Sequence, residues 1–216
     1  MGGYTGAEES TSWSGQSPEP EAVYVVRPPA LPAVAVPIYD HESQAVIGFR
    51  WERTTGVYFI YDLHGEFVSI YEEPLQTPLF DPIDLVFVFG GAFRALARGA
   101  AGAATRKAAV VSGMRGLVTV VSEGALVALR ASMRRLFSFE LKFTVATSAR
   151  MAAKGRHVPV HILKLAIRYG KRAPDPQGAV GAFEYTIPMI RNGVRYTLKV
   201  VLREADNTVL HFHYFN

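Results

Sequence analysis

The stretch AFEYTIPMIRNGVRYTLKVVLR, Ala182 to Arg203, decides how the chain is read. Two runs of alternating apolar and polar residues flank Asn192-Gly193, a pair suited to the positive φ angles of a two-residue turn. The pattern predicts a β-hairpin. After EADN, the run TVLHFHYF (Thr208–Phe215) alternates in the same way and predicts a third antiparallel strand.

Because successive side chains of a strand point to opposite sides, the pattern sorts each strand into two faces. Phe183, Tyr185 and Ile187 fall together, as do Tyr196, Leu198, Val200 and Leu202, and Leu210, Phe212 and Tyr214. These are the expected core. The opposite face collects Glu184 and Thr186, then Arg195, Thr197, Lys199 and Arg203, then His211 and His213. An exposed polar face is common in antiparallel sheets. This one nevertheless combines a carboxylate, several cations and two imidazoles.

Metal-independent RNA cleavage uses such a set: a base for the 2′-hydroxyl proton, an acid for the leaving 5′-oxygen and a cation for the charged phosphorane. Histidine can serve in either proton role. His211, His213, Lys199 and Glu184 are therefore the candidate catalytic residues. Arg195, Thr197 and Arg203 join Arg150, Lys154, Arg156, His157 and Lys171 as candidate substrate-binding residues. A His-x-His metal site with Glu184 as third donor is the competing reading. The neighbouring cations weigh against it, so neither metal nor cofactor is expected.

Upstream, FTVATSARMAAKGR predicts a short helix capped near Thr144 or Thr147 and ending near Gly155. VPVHILKLAIRYG predicts a second, with Pro159 in its first turn and Gly170 closing it. Val158, Ile162, Leu165, Ala166 and Tyr169 make its buried stripe, with His161, Lys164 and Arg168 on the other face. KRAPDPQGAVG reads as a loop. Helices followed by an antiparallel sheet predict an α+β module over residues 139–216.

Three further regions precede it. Residues 1–37 are rich in Gly, Ser, Glu and Pro and read as a flexible, Pro-rich N-terminus. Residues 38–80 hold AVIGFRW, GVYFIYD and EFVSIY, a small β-meander. Residues 81–138 are Ala/Gly-rich and helical in pattern, starting at Asp81-Pro82. Within them, residues 83–129 read either as packed helices or as a segment making transient contact with a membrane; no apolar run reaches the roughly 20 residues of a spanning helix. Two alternatives to an enzyme stay open: a pore-forming or membrane-disrupting effector acting through residues 83–129, and a non-enzymatic basic RNA-binding module.

Among 216 residues, hydrophobic content of 49% supports a packed core, and cysteine is absent, which removes disulfide and thiolate chemistry. The net charge of +4 hides a gradient. Residues 1–80 carry three arginines against eleven carboxylates, whereas residues 140–216 carry twelve lysines and arginines against five carboxylates. The basic end suits a polyanion. The opening residues lack a basic segment followed by an apolar one, so no secretory signal is expected.

Arg150-Met151, Lys154-Gly155-Arg156, Ala166-Ile167, Gly170-Lys171, Tyr185, Asn192-Gly193, Tyr196 and Thr208-Val209 together resemble the C-terminal toxin domains of bacterial polymorphic toxins. The group they look most like is the barnase/EndoU/colicin/RelE-like ribonuclease superfamily. The likeness covers about the last 75 residues, and DPIDLVFVFGG looks similar to the pretoxin segments that precede such toxins. Many of these toxins carry a histidine in the first helix, a place held here by Arg150 or His157. The resemblance implies an endoribonuclease acting on tRNA or other RNA, used in competition between bacteria. It also implies a cognate acidic immunity protein, and a secretion-apparatus or chaperone partner for the N-terminal region. Such an effector is made in the bacterial cytoplasm, exported, for instance by a type VI system, and acts in the cytoplasm of target cells.

Overall fold

Asn192 and Gly193 adopt φ angles of 49° and 81°, the two positive values that a tight hairpin turn requires. The turn joins β9 (Ala182–Arg191) to β10 (Val194–Arg203), and β11 (Thr208–Phe215) pairs with the far side of β10. The computed structural model of the chain describes residues 3–73, 121–136 and 138–216. Within them the fold is α+β: three helices accompany two sheets whose strand pairs are antiparallel except for one.

The larger sheet draws on both ends of the chain. Its remaining strands are β1 (Ser10–Ser12), β2 (Tyr24–Val25), β7 (Lys142–Thr144) and β8 (Lys171–Pro174). The order runs β1-β7-β11-β10-β9-β2, with β8 also on β9 and β7 parallel to β11. Two expectations change here. The N-terminal region contributes strands at both sheet edges, because Val23, Tyr24, Val25 and Val26 are buried against the core. The loop expected at KRAPDPQGAVG opens with β8, which adds Lys171 and Ala173 to the hairpin's polar face.

The smaller sheet is β3 (Val36–Asp40), β4 (Ala45–Thr54), β5 (Val57–Asp62) and β6 (Phe67–Glu72), the expected meander plus one strand. Helix α1 (Glu123–Leu136) lies on it. Arg130 donates two hydrogen bonds to Asp40, at 2.7 and 3.0 Å, and Ser132 donates to Asp62 at 2.5 Å. The rest of the helical segment expected at 81–138, and most of the 83–129 membrane reading, lies outside the described residues. No helix among the described residues is long and apolar enough to cross a membrane.

Two helices connect β7 to β8. Thr144 caps α2 (Val145–Ala152), its hydroxyl accepting from the Thr147 amide at 3.2 Å. Helix α3 (Val160–Tyr169) runs from Pro159 to Gly170 and packs on β9 and β10. Its stripe of Ile162, Leu165 and Ala166 is buried against the sheet's inner face, with Val158 just ahead of it. Burying each large apolar chain here contributes about 1.5–3 kcal/mol. Lys164 departs from the expected solvent face: it is 3% exposed, with its ammonium 4.8 Å from the Phe139 ring centroid. Phe139 covers a side of the helix that the stripe alone leaves open.

Gly170 sits where α3 meets β9. A Cβ there would lie 2.4 Å from the Ala166 carbonyl oxygen and 3.3 Å from the Thr186 backbone. Gly170→Ala should therefore destabilise the fold by about 1–3 kcal/mol, the usual cost of overpacking. A urea melt will show it as a lowered midpoint; an unchanged midpoint would contradict this close approach.

Candidate functional site

Residues directly opposite one another in a sheet share a face, so the pairing register assembles the site. Lys171 on β8 faces Thr186 on β9, Thr186 faces Lys199 on β10, and Lys199 faces His213 on β11. These four side chains form one row across four strands, about 14 Å long at roughly 4.8 Å per strand. The adjacent row is Ala173, Glu184, Val201 and His211. On the other side, Thr197 faces Phe215.

Contacts tighten the two rows. Lys199 Nζ lies 2.9 Å from Glu184 Oε1 in a partly buried ion pair. The His211 and His213 rings are 5.2 Å apart, and His213 stacks on Phe215 at 5.5 Å with 23° between planes. Beyond Val209, β7 no longer pairs with β11. Arg150 of α2 reaches this stretch and donates to the Phe212 carbonyl at 3.2 Å. The register thus brings together His211, His213, Lys199 and Glu184, with Arg150, Lys171 and Thr186 beside them.

Both imidazoles are held neutral at pH 7. Burial pushes His211 down to about 4, with the Arg150 and His213 charges adding to it and Glu184 and Asp175 opposing. His213 is lowered by burial first, then by Lys199, while Glu184 opposes. Its Nδ1 is buried and lacks a hydrogen-bond partner. A ring lowered in this way is deprotonated near neutral pH, the form that can accept a proton. Among the described residues, no group of three or more His, Asp or Glu side chains is placed to hold a metal ion.

The other predicted residues spread more widely. Arg195 is exposed and Thr197 half-buried on the same face, toward the hairpin turn. Lys154 and Arg156 are exposed in the turn after α2. Arg203 is engaged by Asp206 at 2.8 Å and by the Gly6 carbonyl. His157 needs correction as a substrate-binding candidate. It is 3% exposed, its Nδ1 lies 2.8 Å from the Met151 carbonyl and its ring meets Tyr24 edge-on, so it braces α2 within the core.

Leu210 also departs from the alternation. The register slips between Val201 and Leu202, so β11 carries an extra residue there. Leu210 consequently packs with Ala182 and Val201, covered by Tyr4 and Ala179, rather than with Phe212 in the main core.

Three participants lay beyond the sequence reading. Phe215 is 44% exposed at the end of the histidine stack, and the spacing 211, 213, 215 already signals it. Asp175 and Tyr4 carry no such signal: a loop carboxylate and an N-terminal ring meet only in three dimensions. Comparison with protein-family models, with curated proteins and with solved structures finds no match to this chain.

The His211 shift has a measurable consequence. An ordinary histidine in the unfolded chain titrates near 6.5. As pH falls below that value the unfolded state takes up a proton that folded His211 refuses until about 4. The contribution of His211 to stability should therefore fall through this window, alongside those of His157 and His213, which burial also lowers. His211→Gln should reduce the dependence of melting temperature on pH between about 6.5 and 4. NMR of the His211 Cε1 proton should give a midpoint near 4; a value near 6.5 would contradict its burial.

Proposed function

We propose that the chain is a metal-independent endoribonuclease effector whose basic α+β part, residues 139–216, cleaves RNA on the outer face of the larger sheet. One observation carries this reading: the row Lys171–Thr186–Lys199–His213 lies directly beside Glu184 and His211. Cations that hold a phosphodiester and imidazoles that move protons thus share one patch.

In the reaction, a neutral imidazole takes the proton of the ribose 2′-hydroxyl, and the 2′-oxygen attacks the adjacent phosphorus. The bond from phosphorus to the 5′-oxygen breaks, and that oxygen receives a proton from the second imidazole. The products are a 2′,3′-cyclic phosphate and a 5′-hydroxyl, so no net proton is consumed. His211 is neutral at pH 7, the form in which an imidazole can accept a proton. His213 stands opposite Lys199, next to the expected phosphate, whose negative charge would raise its pKa and favour the acid form. Glu184 holds Lys199 in place at 2.9 Å. Phe215 offers a ring for an unpaired base, a contact worth about 1–3 kcal/mol in single-strand binding.

The resemblance to polymorphic-toxin nucleases supports use against other cells, with tRNA among the substrates and a cognate acidic immunity protein covering the basic face. A secretion-apparatus or chaperone partner for the N-terminal region belongs to the same reading, as does transient membrane contact by residues 83–129 during delivery.

The test uses the purified full chain, labelled RNA and gel analysis. Wild type should cut the RNA, and His211→Ala and His213→Ala should each lower kcat/KM by about 10²-fold or more while remaining folded by circular dichroism. Lys199→Met should weaken cleavage and flatten its salt dependence. Intact RNA with wild type, or full activity in both histidine variants, would overturn the proposal.

A further inference from the structure

The acidic front of the chain and its basic back meet on this same face. Tyr4 stacks on His211, with ring centroids 5.9 Å apart and 26° between planes. The Tyr4 hydroxyl donates to the buried Asp175 carboxylate, and its amide donates to Gln177 Oε1 at 3.2 Å. Arg203 donates to the Gly6 carbonyl, Thr208 Oγ1 to Ser10 Oγ at 3.1 Å, and Ser12 Oγ to Glu140. Residues 3–12 thus run across the lower half of the face, ending in the three-residue strand β1 at the sheet edge.

How they are held is as informative as where they lie. Among GYTGAEESTS, residues 3–12, Tyr4 is the only large apolar side chain. It seals a small cluster of Ala182, Val201 and Leu210 that is separate from the main core. The rest of the segment alternates half-buried and exposed. Its attachment is polar and peripheral, the kind that opens locally at low free energy. Glu8 folds back on the Thr5 and Gly6 amides at 2.6 and 3.0 Å. Arg203, whose pKa is raised by Asp206 first and by the Glu8 charge last, is held by Asp206 and by the Gly6 carbonyl of this segment.

We propose that residues 3–12 are a displaceable cover that competes with single-stranded RNA for the sheet face by laying Tyr4 on His211. This rests on the nucleic-acid reading of that face. The cover takes the ring surface a nucleobase would use and leaves His213, Lys199 and Phe215 open at the other end. Strand must lift Tyr4 to reach His211. A cover closed nine-tenths of the time lowers apparent affinity about tenfold.

The experiment is fluorescence anisotropy of a labelled single-stranded 2′-O-methyl RNA, which lacks the 2′-hydroxyl needed for cleavage, titrated with the full chain. Tyr4→Ala should bind about tenfold more tightly than wild type. Tyr4→Phe, which keeps the ring but loses the Asp175 bond, should fall between them. Hydrogen exchange of residues 3–12 in the wild type should speed up when the oligonucleotide is added. Equal or weaker binding by both variants, or slower exchange in the segment, would overturn the cover and make it a substrate clamp or a passive edge. No binding by any of the three chains would instead overturn the nucleic-acid reading itself, and the competition with it.

Discussion

The hydrogen-bonded register between β9, β10 and β11 is the constraint on which the rest depends. A one-residue slip would move every side chain of a strand to the other face. Asn192 and Gly193, both at positive φ, fix the hairpin so that Lys199 faces Thr186, and the pairing of β11 then sets Lys199 against His213. Leu198, Val200 and Phe212 on the inner face penalise any slip, since it would expose them to water. The polar row is therefore held in place by apolar burial behind it, and the site's precision comes from the core.

Charge organises the second level. Carboxylates of the acidic N-terminal part pair with cations later in the chain: Glu19 binds Arg191 at 2.8 Å, and Asp40 and Glu42 bind Arg130 of α1 at 2.7 and 2.5 Å. Glu184 and Lys199 form the only ion pair among the described residues that lies between the two polar rows. It supplies a local positive group whose position is fixed and whose charge adds to the burial that depresses the neighbouring His213. A partly exposed ion pair contributes little to stability. Its value here is geometric.

Much of this was legible in the sequence, and the exceptions have physical causes. The hairpin, the third strand and both connecting helices follow from strong local signals: Asn192-Gly193, Pro159, Gly170 and clean alternation. The grouping of Glu184, Lys199, His211 and His213 followed from strand period alone. Short strands such as β2 and β8 have no internal periodicity, because two to four residues form strands only when a longer neighbour offers an edge. Leu210 was misplaced because a bulge interrupts the period, and His157 and Lys164 because tertiary cover, not helix phase, buried them. The Tyr4–His211 stack joins residues 207 apart in the chain, and no local rule reaches that far.

The central claim is that this face cleaves RNA by internal attack of the 2′-oxygen, with imidazoles moving the protons and no metal. The most direct measurement is the chemistry of the cut ends, read by mass spectrometry after RNA is incubated with the full chain in excess chelator. The account predicts 2′,3′-cyclic phosphates and 5′-hydroxyls. Fragments ending in a 3′-hydroxyl with a 5′-phosphate, or cleavage that stops in chelator, would contradict it.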